Sequence, residues 1–148
     1  MKPIFTMFVM MTALVAVSTA NAQQQQPVDY KTAYEKAQKG EKPLLVLITA
    51  DWCPPCQVMK KTTIPTLMQK DAFKNFHYAT VDLDKETTLA RQLIGKRGVP
   101  QLIMYEKNKG KWIRRYLSGI QTPQTVEAFV AQAGQTRTAS VASQNQGK

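Results

Sequence analysis

From residue 28 onward the apolar positions change their period repeatedly, and each change predicts an element. Tyr30, Ala33, Tyr34 and Ala37 recur at helical spacing behind Asp29, which is suited to cap a helix, and Gly40 is placed to end it. Lys42-Pro43 breaks the chain. The unbroken apolar run Leu44-Leu45-Val46-Leu47-Ile48 predicts a strand buried on both faces. A helical pattern through Val58, Met59 and Thr63 is then stopped or kinked by Pro65. Pro65 equally suits the start of a second short helix, with Leu67, Met68 and Phe73 facing inward. Residues 76–83 alternate well enough for a second central strand, and residues 87–94 return to helical spacing with Gly95 at the end. Residues 101–106 and 111–117 predict two strands joined as a hairpin through Asn108-Lys109-Gly110. Thr122-Pro123 caps and opens a last helix with Val126, Phe129, Val130 and Ala133 apolar, ended by Gly134.

This order of elements predicts an α/β domain over residues 28–134, a central mixed β-sheet flanked by helices on both faces. The ends read differently. Lys2, the apolar run 4–17 and the small residues Ser18-Thr19-Ala20-Asn21-Ala22 have the form of a signal peptide over 1–22, cleaved near Ala22. The run is short of the roughly 20 residues a membrane-spanning helix needs. Residues 23–27 form a polar, glutamine-rich linker, and residues 135–148, rich in Gln, Ser and Thr, are expected to be a disordered polar tail. Export implies a periplasmic or secreted protein, where disulfides persist.

The formal net charge of +10 on 148 residues raises the question of an anionic partner. The basic residues are scattered, and the densest groups, Lys107-Asn108-Lys109-Gly110-Lys111 and Arg114-Arg115, lack the interleaved aromatics of a single-strand binding platform. A solvated basic face is expected, with no nucleic-acid partner.

The chemistry is concentrated in Ala50-Asp51-Trp52-Cys53-Pro54-Pro55-Cys56, which holds both cysteines of the chain. A strand that ends in Cys-x-x-Cys and continues as a helix puts Cys53 at a helix N-terminus, where free amides and the helix dipole favour a thiolate. Cys56 lies one turn on, within reach of a disulfide. A purely structural disulfide is the plain alternative, but so small a ring stabilises little through loop entropy. A metal site is the other chemical reading, and it lacks ligands: the chain has one histidine, His77, placed in a strand pattern and given no role. Met59, Met68 and Met104 fall on three elements and read as core filling, and Trp112 as sheet packing.

With Trp52-Cys53-Pro54-Pro55-Cys56 after a buried strand and Gly98-Val99-Pro100 before a hairpin, the chain resembles the thioredoxin superfamily. Lys42-Pro43, Ala50-Asp51-Trp52-Cys53 and the Pro65 break look most like the C-terminal thioredoxin-like domain of the membrane thiol:disulfide interchange proteins. The resemblance implies a thioredoxin-like fold and a thiol–disulfide oxidoreductase that reduces protein disulfides. It implies Cys53 as the exposed attacking thiol, Cys56 as the buried resolving thiol and Trp52 as the flanking aromatic. Pro100 would be a cis-proline against the disulfide, and Val99 would offer its backbone to an extended substrate segment. No cofactor or metal is called for. The implied partners are protein disulfide substrates and a membrane thiol carrier as electron donor, and a monomer is expected.

Two departures stand out. The resemblance leads one to expect a buried acid six residues before the first cysteine and a lysine on the next strand, where this chain has Leu47 and Thr80. Asp51 and Glu86 are the nearest substitutes in sequence, and Asp51 is expected to face water. The active-site spacer, Pro54 and Pro55, carries no N–H, so the Cys53 thiolate has fewer local donors and the couple should be more reducing. An oxidase running the same exchange backwards, and a thioredoxin-like binding module with a silent cysteine pair, are the rival readings.

Overall fold

The structure is a computed structural model that describes residues 27–40, 42–108 and 110–144, with side chains through residue 133. The expected signal peptide and most of the linker lie outside the described residues. Among the described residues the elements run in the order α1 (Tyr30–Gln38), β1 (Leu44–Thr49), α2 (Pro54–Val58), a π-helical turn (Met59–Thr63), α3 (Ile64–Gln69), β2 (His77–Asp82), α4 (Thr87–Ile94), β3 (Gln101–Asn108), β4 (Lys111–Ser118) and α5 (Pro123–Gln144).

The sheet has the strand order β2-β1-β3-β4. β1 runs parallel to β2 and antiparallel to β3, and β3 pairs antiparallel with β4. Every residue of β1 is buried, because it is central and covered on both faces. Leu45 and Leu47 join Leu102 and Met104 on one face, packed against Met59, Ile64, Leu67 and Phe73 and against Val126, Phe129 and Val130 of α5. Leu44, Val46 and Ile48 join Ala79, Val81 and Ile103 on the other, under Ala33 and Ala37 of α1 and Ala90, Leu93 and Ile94 of α4. The parallel β1–β2 pair needs a crossover, which the α2–α3 segment supplies. Met59 and Met104 are core residues, as their spacing predicted.

Local chemistry sets the element ends. Asp29 caps α1, its carboxylate accepting from the amides of Lys31 (2.9 Å) and Thr32 (3.1 Å). Thr122 caps α5 by accepting from the Thr125 amide at 3.2 Å. The β3–β4 loop is only two residues long, since Asn108 pairs with Lys111, and Gly110 takes the positive φ of 78° that such a turn requires. β3 therefore extends to Asn108, beyond the expected end at 106, because polar Lys107 and Asn108 still find partners across the hairpin.

Pro65 stands in the first turn of α3, so the reading in which it opens a second short helix is the one the fold adopts. Pro65 has no N–H to return to the carbonyl four residues back, and the turn before it widens, so the Ile64 amide bonds the Met59 carbonyl five residues back. The last helix differs more. It was expected to end at Gly134 with a disordered tail after it, but α5 runs to Gln144. A glycine inside a helix costs about 1 kcal/mol and does not terminate it, and the Ala, Gln and Arg positions beyond it tolerate helix while no proline intervenes. Residues 145–148 lie outside the described residues.

Among the described residues one ion pair has a buried member: Glu106 is buried and pairs with Arg115 at 2.9 Å. Arg115 also donates to Gln132 of α5 at 3.0 Å and lies over the Phe129 ring, fixing α5 to the edge of the sheet.

Tyr78 of β2 stacks on Phe73, ring centroids 5.4 Å apart, inside the first core. Burial pushes its phenol up to about 12, only partly offset by the hydrogen bond from Thr80. A folded-state pKa above the unfolded value of about 10 stabilises the fold below that value, and the contribution is lost as pH rises toward about 12. Urea midpoints measured against pH should hold level up to the phenol's ordinary range and then fall. Tyr78→Phe should flatten that fall, and an unchanged slope would contradict this account.

Candidate active site

The site forms where β1 ends. Thr49 closes the strand, Ala50 is fully buried under the next turn, and Cys53 becomes the N-cap of α2. Cys53 and Cys56 are joined as a disulfide, with Cα atoms 5.2 Å apart. Cys56 is buried as expected, at 0% exposed, but Cys53 is buried too, at 4%, where an exposed attacking thiol was expected, because Ala50 and Val99 close over the pair. Ala50, Leu83 and Val99 pack around the pair.

The spacer determines which amides reach the sulfur. An N-cap side chain normally accepts from the second or third helical residue. Here the first two helical residues are Pro54 and Pro55, which have no N–H, and the Gln57 amide is engaged by the Cys53 carbonyl at 3.2 Å. Cys53 Sγ is left with the Cys56 amide at 3.3 Å. On its other side lies a carbonyl oxygen, that of Val99, at 3.8 Å. A carbonyl there suits a thiol S–H and opposes a thiolate, so Cys53 combines one donor with one unfavourable dipole.

The Val99–Pro100 peptide is cis. The Pro100 carbonyl accepts from the Gly119 amide at 2.8 Å, and Gly119 sits at φ 78°, a conformation glycine adopts without strain. Gln121 then ties that loop to the helix after Cys56. Its amide donates to Met59 Sδ at 3.3 Å, and its carbonyl accepts from the Thr63 hydroxyl at 2.9 Å. Three chain segments thus meet at the disulfide: the β1–α2 turn, the approach to β3 and the β4–α5 loop.

The rim is apolar and open. Trp52 is 66% exposed and Ile120 54%, so Trp52 flanks the disulfide and does not cap the core. The Trp52 indole N–H donates to Asp84 at 3.1 Å, which orients the ring. Sequence reasoning singled out Trp52, Cys53, Pro54, Pro55, Cys56, Val99 and Pro100, and the fold brings all seven together. It missed Asp84, Ile120 and Gln121. The bond to Pro100 makes Gly119 a point of close backbone approach, and nothing in the spacing pointed to the three missed residues.

The missing acid is confirmed as missing at its position. Leu47 is buried, and its partner across the β1–β2 pair is Thr80, whose hydroxyl is turned to Tyr78 at 3.1 Å. Asp51 is exposed, with Lys60 at 3.0 Å and Lys85 at 3.6 Å. The hydrogen bond from Lys60, then the charges of Lys60 and Lys85, hold its carboxyl below the usual range, which makes it a poor proton acceptor. Glu86 is also exposed, before α4. Among the described residues no three of His, Cys, Asp and Glu converge to hold a metal ion.

A family model described as thioredoxin-like matches residues 21–107, more than half of the chain. The chain belongs to the thioredoxin-like family. Thioredoxin Asp f 29 of Aspergillus fumigatus is 31% identical over 78 residues, 53% of this chain and 69% of that protein. The solution structure of a thioredoxin from Thermus thermophilus matches with a TM-score of 0.61 at 22% identity, covering 74% of this chain and 86% of that one. Trxlp from Edwardsiella tarda matches with a TM-score of 0.54 at 26% identity, over 70% and 95% of the two chains. With a Cys-x-x-Cys disulfide at the helix start of this fold, the thioredoxin-like chain is a thiol–disulfide oxidoreductase.

Pro55→Ala should return an amide to the second helical position and give the Cys53 thiolate another donor. The Cys53 pKa should then fall by about one, and the couple should become more oxidising by roughly 30 mV. Thiolate ultraviolet absorbance against pH and equilibration with glutathione buffers measure the two. No movement in either would sink the claim that the prolines set the thiol.

Proposed function

We propose that this thioredoxin-like protein is an exported reductase of protein disulfides, working through a Cys53/Cys56 dithiol–disulfide cycle. The observation that carries the direction is the poor support for a Cys53 thiolate: one amide at 3.3 Å and a carbonyl oxygen at 3.8 Å. A reduced form that is little stabilised gives up electrons readily, which is the property of a reducing couple. Export rests on the signal-like pattern of residues 1–22.

In the reducing direction the Cys53 thiolate attacks one sulfur of a partner's disulfide. The partner's S–S bond breaks, its second sulfur leaves as a thiolate and takes a proton, and a mixed disulfide to Cys53 forms. Cys56 then loses its proton and attacks Cys53 Sγ. The mixed disulfide breaks, and the partner's first sulfur leaves and is protonated. The partner has gained two electrons, and Cys53–Cys56 is oxidised. With Leu47 and Thr80 at the two positions that could take the Cys56 proton internally, that proton goes to solvent. Trp52, Val99 and Pro100, with Ile120 beside them, receive the substrate segment, and the free backbone of an extended chain suits such a rim.

Restoring the dithiol requires an external dithiol donor. The resemblance to the C-terminal domain of the membrane thiol:disulfide interchange proteins points to a membrane thiol carrier. The protein acts as a monomer in this reading.

A Cys56→Ser variant should accumulate covalent mixed disulfides on non-reducing gels, while Cys53→Ser should form none. A Cys56→Ser variant that traps nothing would leave a binding scaffold with a silent pair, the reading that Leu47 and Thr80 favour. The reduction potential decides direction. A value near roughly −270 mV supports the reductase, and one near roughly −120 mV makes the protein an oxidase.

A further inference from the structure

The end of the molecule opposite the disulfide collects lysines from several elements or their flanks. β1 and β2 begin there, β3 ends, β4 begins and α1 terminates. Lys42 precedes β1 and donates to the Lys74 carbonyl at 2.6 Å, in the segment before β2. Lys107 of β3 donates to the Gln38 carbonyl at the end of α1, at 3.1 Å, and its ammonium lies 5.1 Å from the centre of the Trp112 ring. Lys39 ends α1 and Lys111 opens β4. Lys42, Lys107 and Trp112, with Ala37, Gly40 and Pro43, line a shallow concavity of about 50 Å³.

No ion pair among the described residues neutralises this charge. Among the described residues the ion pairs are Lys60–Asp51, Lys85–Asp51 and Arg115–Glu106, and none involves Lys39, Lys42, Lys107 or Lys111. Asp71 lies between α3 and β2, in the segment that leads to this end. Asp51 and the run Asp82, Asp84 and Glu86, by contrast, lie at the disulfide end, where Lys60 and Lys85 pair with Asp51. The protein therefore has a basic pole and a redox pole.

We propose that the basic pole docks reversibly on an anionic lipid surface, with the disulfide facing away from it while docked. Lysines are strongly hydrated point charges on flexible stems, which adapt to a fluid headgroup layer without needing a fixed geometry. Trp112 stands among them, 39% exposed, and an indole in that setting seats at headgroup level. Its ring also packs within the sheet, across the hairpin from Lys107. A single-stranded nucleic acid fits the pole poorly. Trp112 is the pole's exposed large aromatic among the described residues, and the Lys107 ammonium already lies over its ring. The inference rests on the charge of the pole and does not depend on the direction of the redox reaction.

The test is co-sedimentation of the full chain with neutral phosphatidylcholine vesicles and with vesicles that also contain phosphatidylglycerol. The apolar run 4–17 contributes equally to both, so the difference reports the pole. The anionic vesicles should bind more tightly, and salt should weaken them toward the neutral ones. Lys39→Gln with Lys111→Gln, which breaks neither lysine tether, should cost roughly 25-fold, at about fivefold per lysine. Adding Lys42→Gln and Lys107→Gln should lose more, with circular dichroism as the check on folding. In a Trp52→Phe chain, Trp112 emission should shift to the blue on anionic vesicles. Equal binding to both vesicle types, or no loss in the Lys39/Lys111 variant, would overturn the proposal. Tighter binding to soluble polyglutamate than to anionic vesicles would assign the pole to an acidic protein and overturn it as well.

Discussion

β1 has no exposed side chain, and six consecutive buried residues can be satisfied only if the strand is central and covered twice. The rest of the molecule is arranged to meet that demand. β2 and β3 occupy its two edges, α1 and α4 cover one face, and the α2–α3 segment with α5 covers the other. A strand so tightly held delivers the next stretch of chain to a fixed point. That stretch is Ala50 to Cys56, so the disulfide inherits its rigidity from the core.

The chemistry of the site then depends on small local facts. The first two residues of α2 are prolines, which leaves one amide for the Cys53 sulfur. The neighbouring carbonyl of Val99 is held in place because Pro100 is bonded to Gly119 and that loop is bonded to Met59 and Thr63. A change in the β4–α5 loop therefore bears on the thiol without touching it. The buried pair Glu106–Arg115 has a comparable role at the sheet edge, where it fixes α5, away from the chemistry.

Charge is distributed along the sequence without obvious order, and folding sorts it. Four of the scattered lysines, Lys39, Lys42, Lys107 and Lys111, gather at one end because that is where strand starts, a strand end and a helix end coincide, while Lys60 and Lys85 stay beside Asp51. The interleaving of cation and aromatic is likewise a product of register. Lys107 and Trp112 lie opposite each other across the hairpin, and Arg114 lies over both Tyr105 and Tyr116. In one dimension these residues look unrelated.

Much of this was legible in the chain. The apolar run of β1, the Asp29 and Thr122 caps, the glycine stops at Gly40 and Gly95 and the Cys-x-x-Cys after a buried strand each come from nearest-neighbour chemistry. Those features were enough for the fold class and the reacting pair. Where the reading failed, it failed at long range or on weak local preferences. Gly134 was a plausible stop, but α5 continued, since a single glycine costs less than the residues beyond it recover. Asp84, Ile120 and Gln121 became part of the site only when turns distant in sequence met. Which residues could react was already written in the chain, because a thiol's identity and its proline neighbours are covalent facts. What those residues feel, and which way the molecule faces, came with folding. The Val99 carbonyl, the Asp84 carboxylate and the lysine pole are brought into position by strand pairing across dozens of residues, which no local pattern encodes.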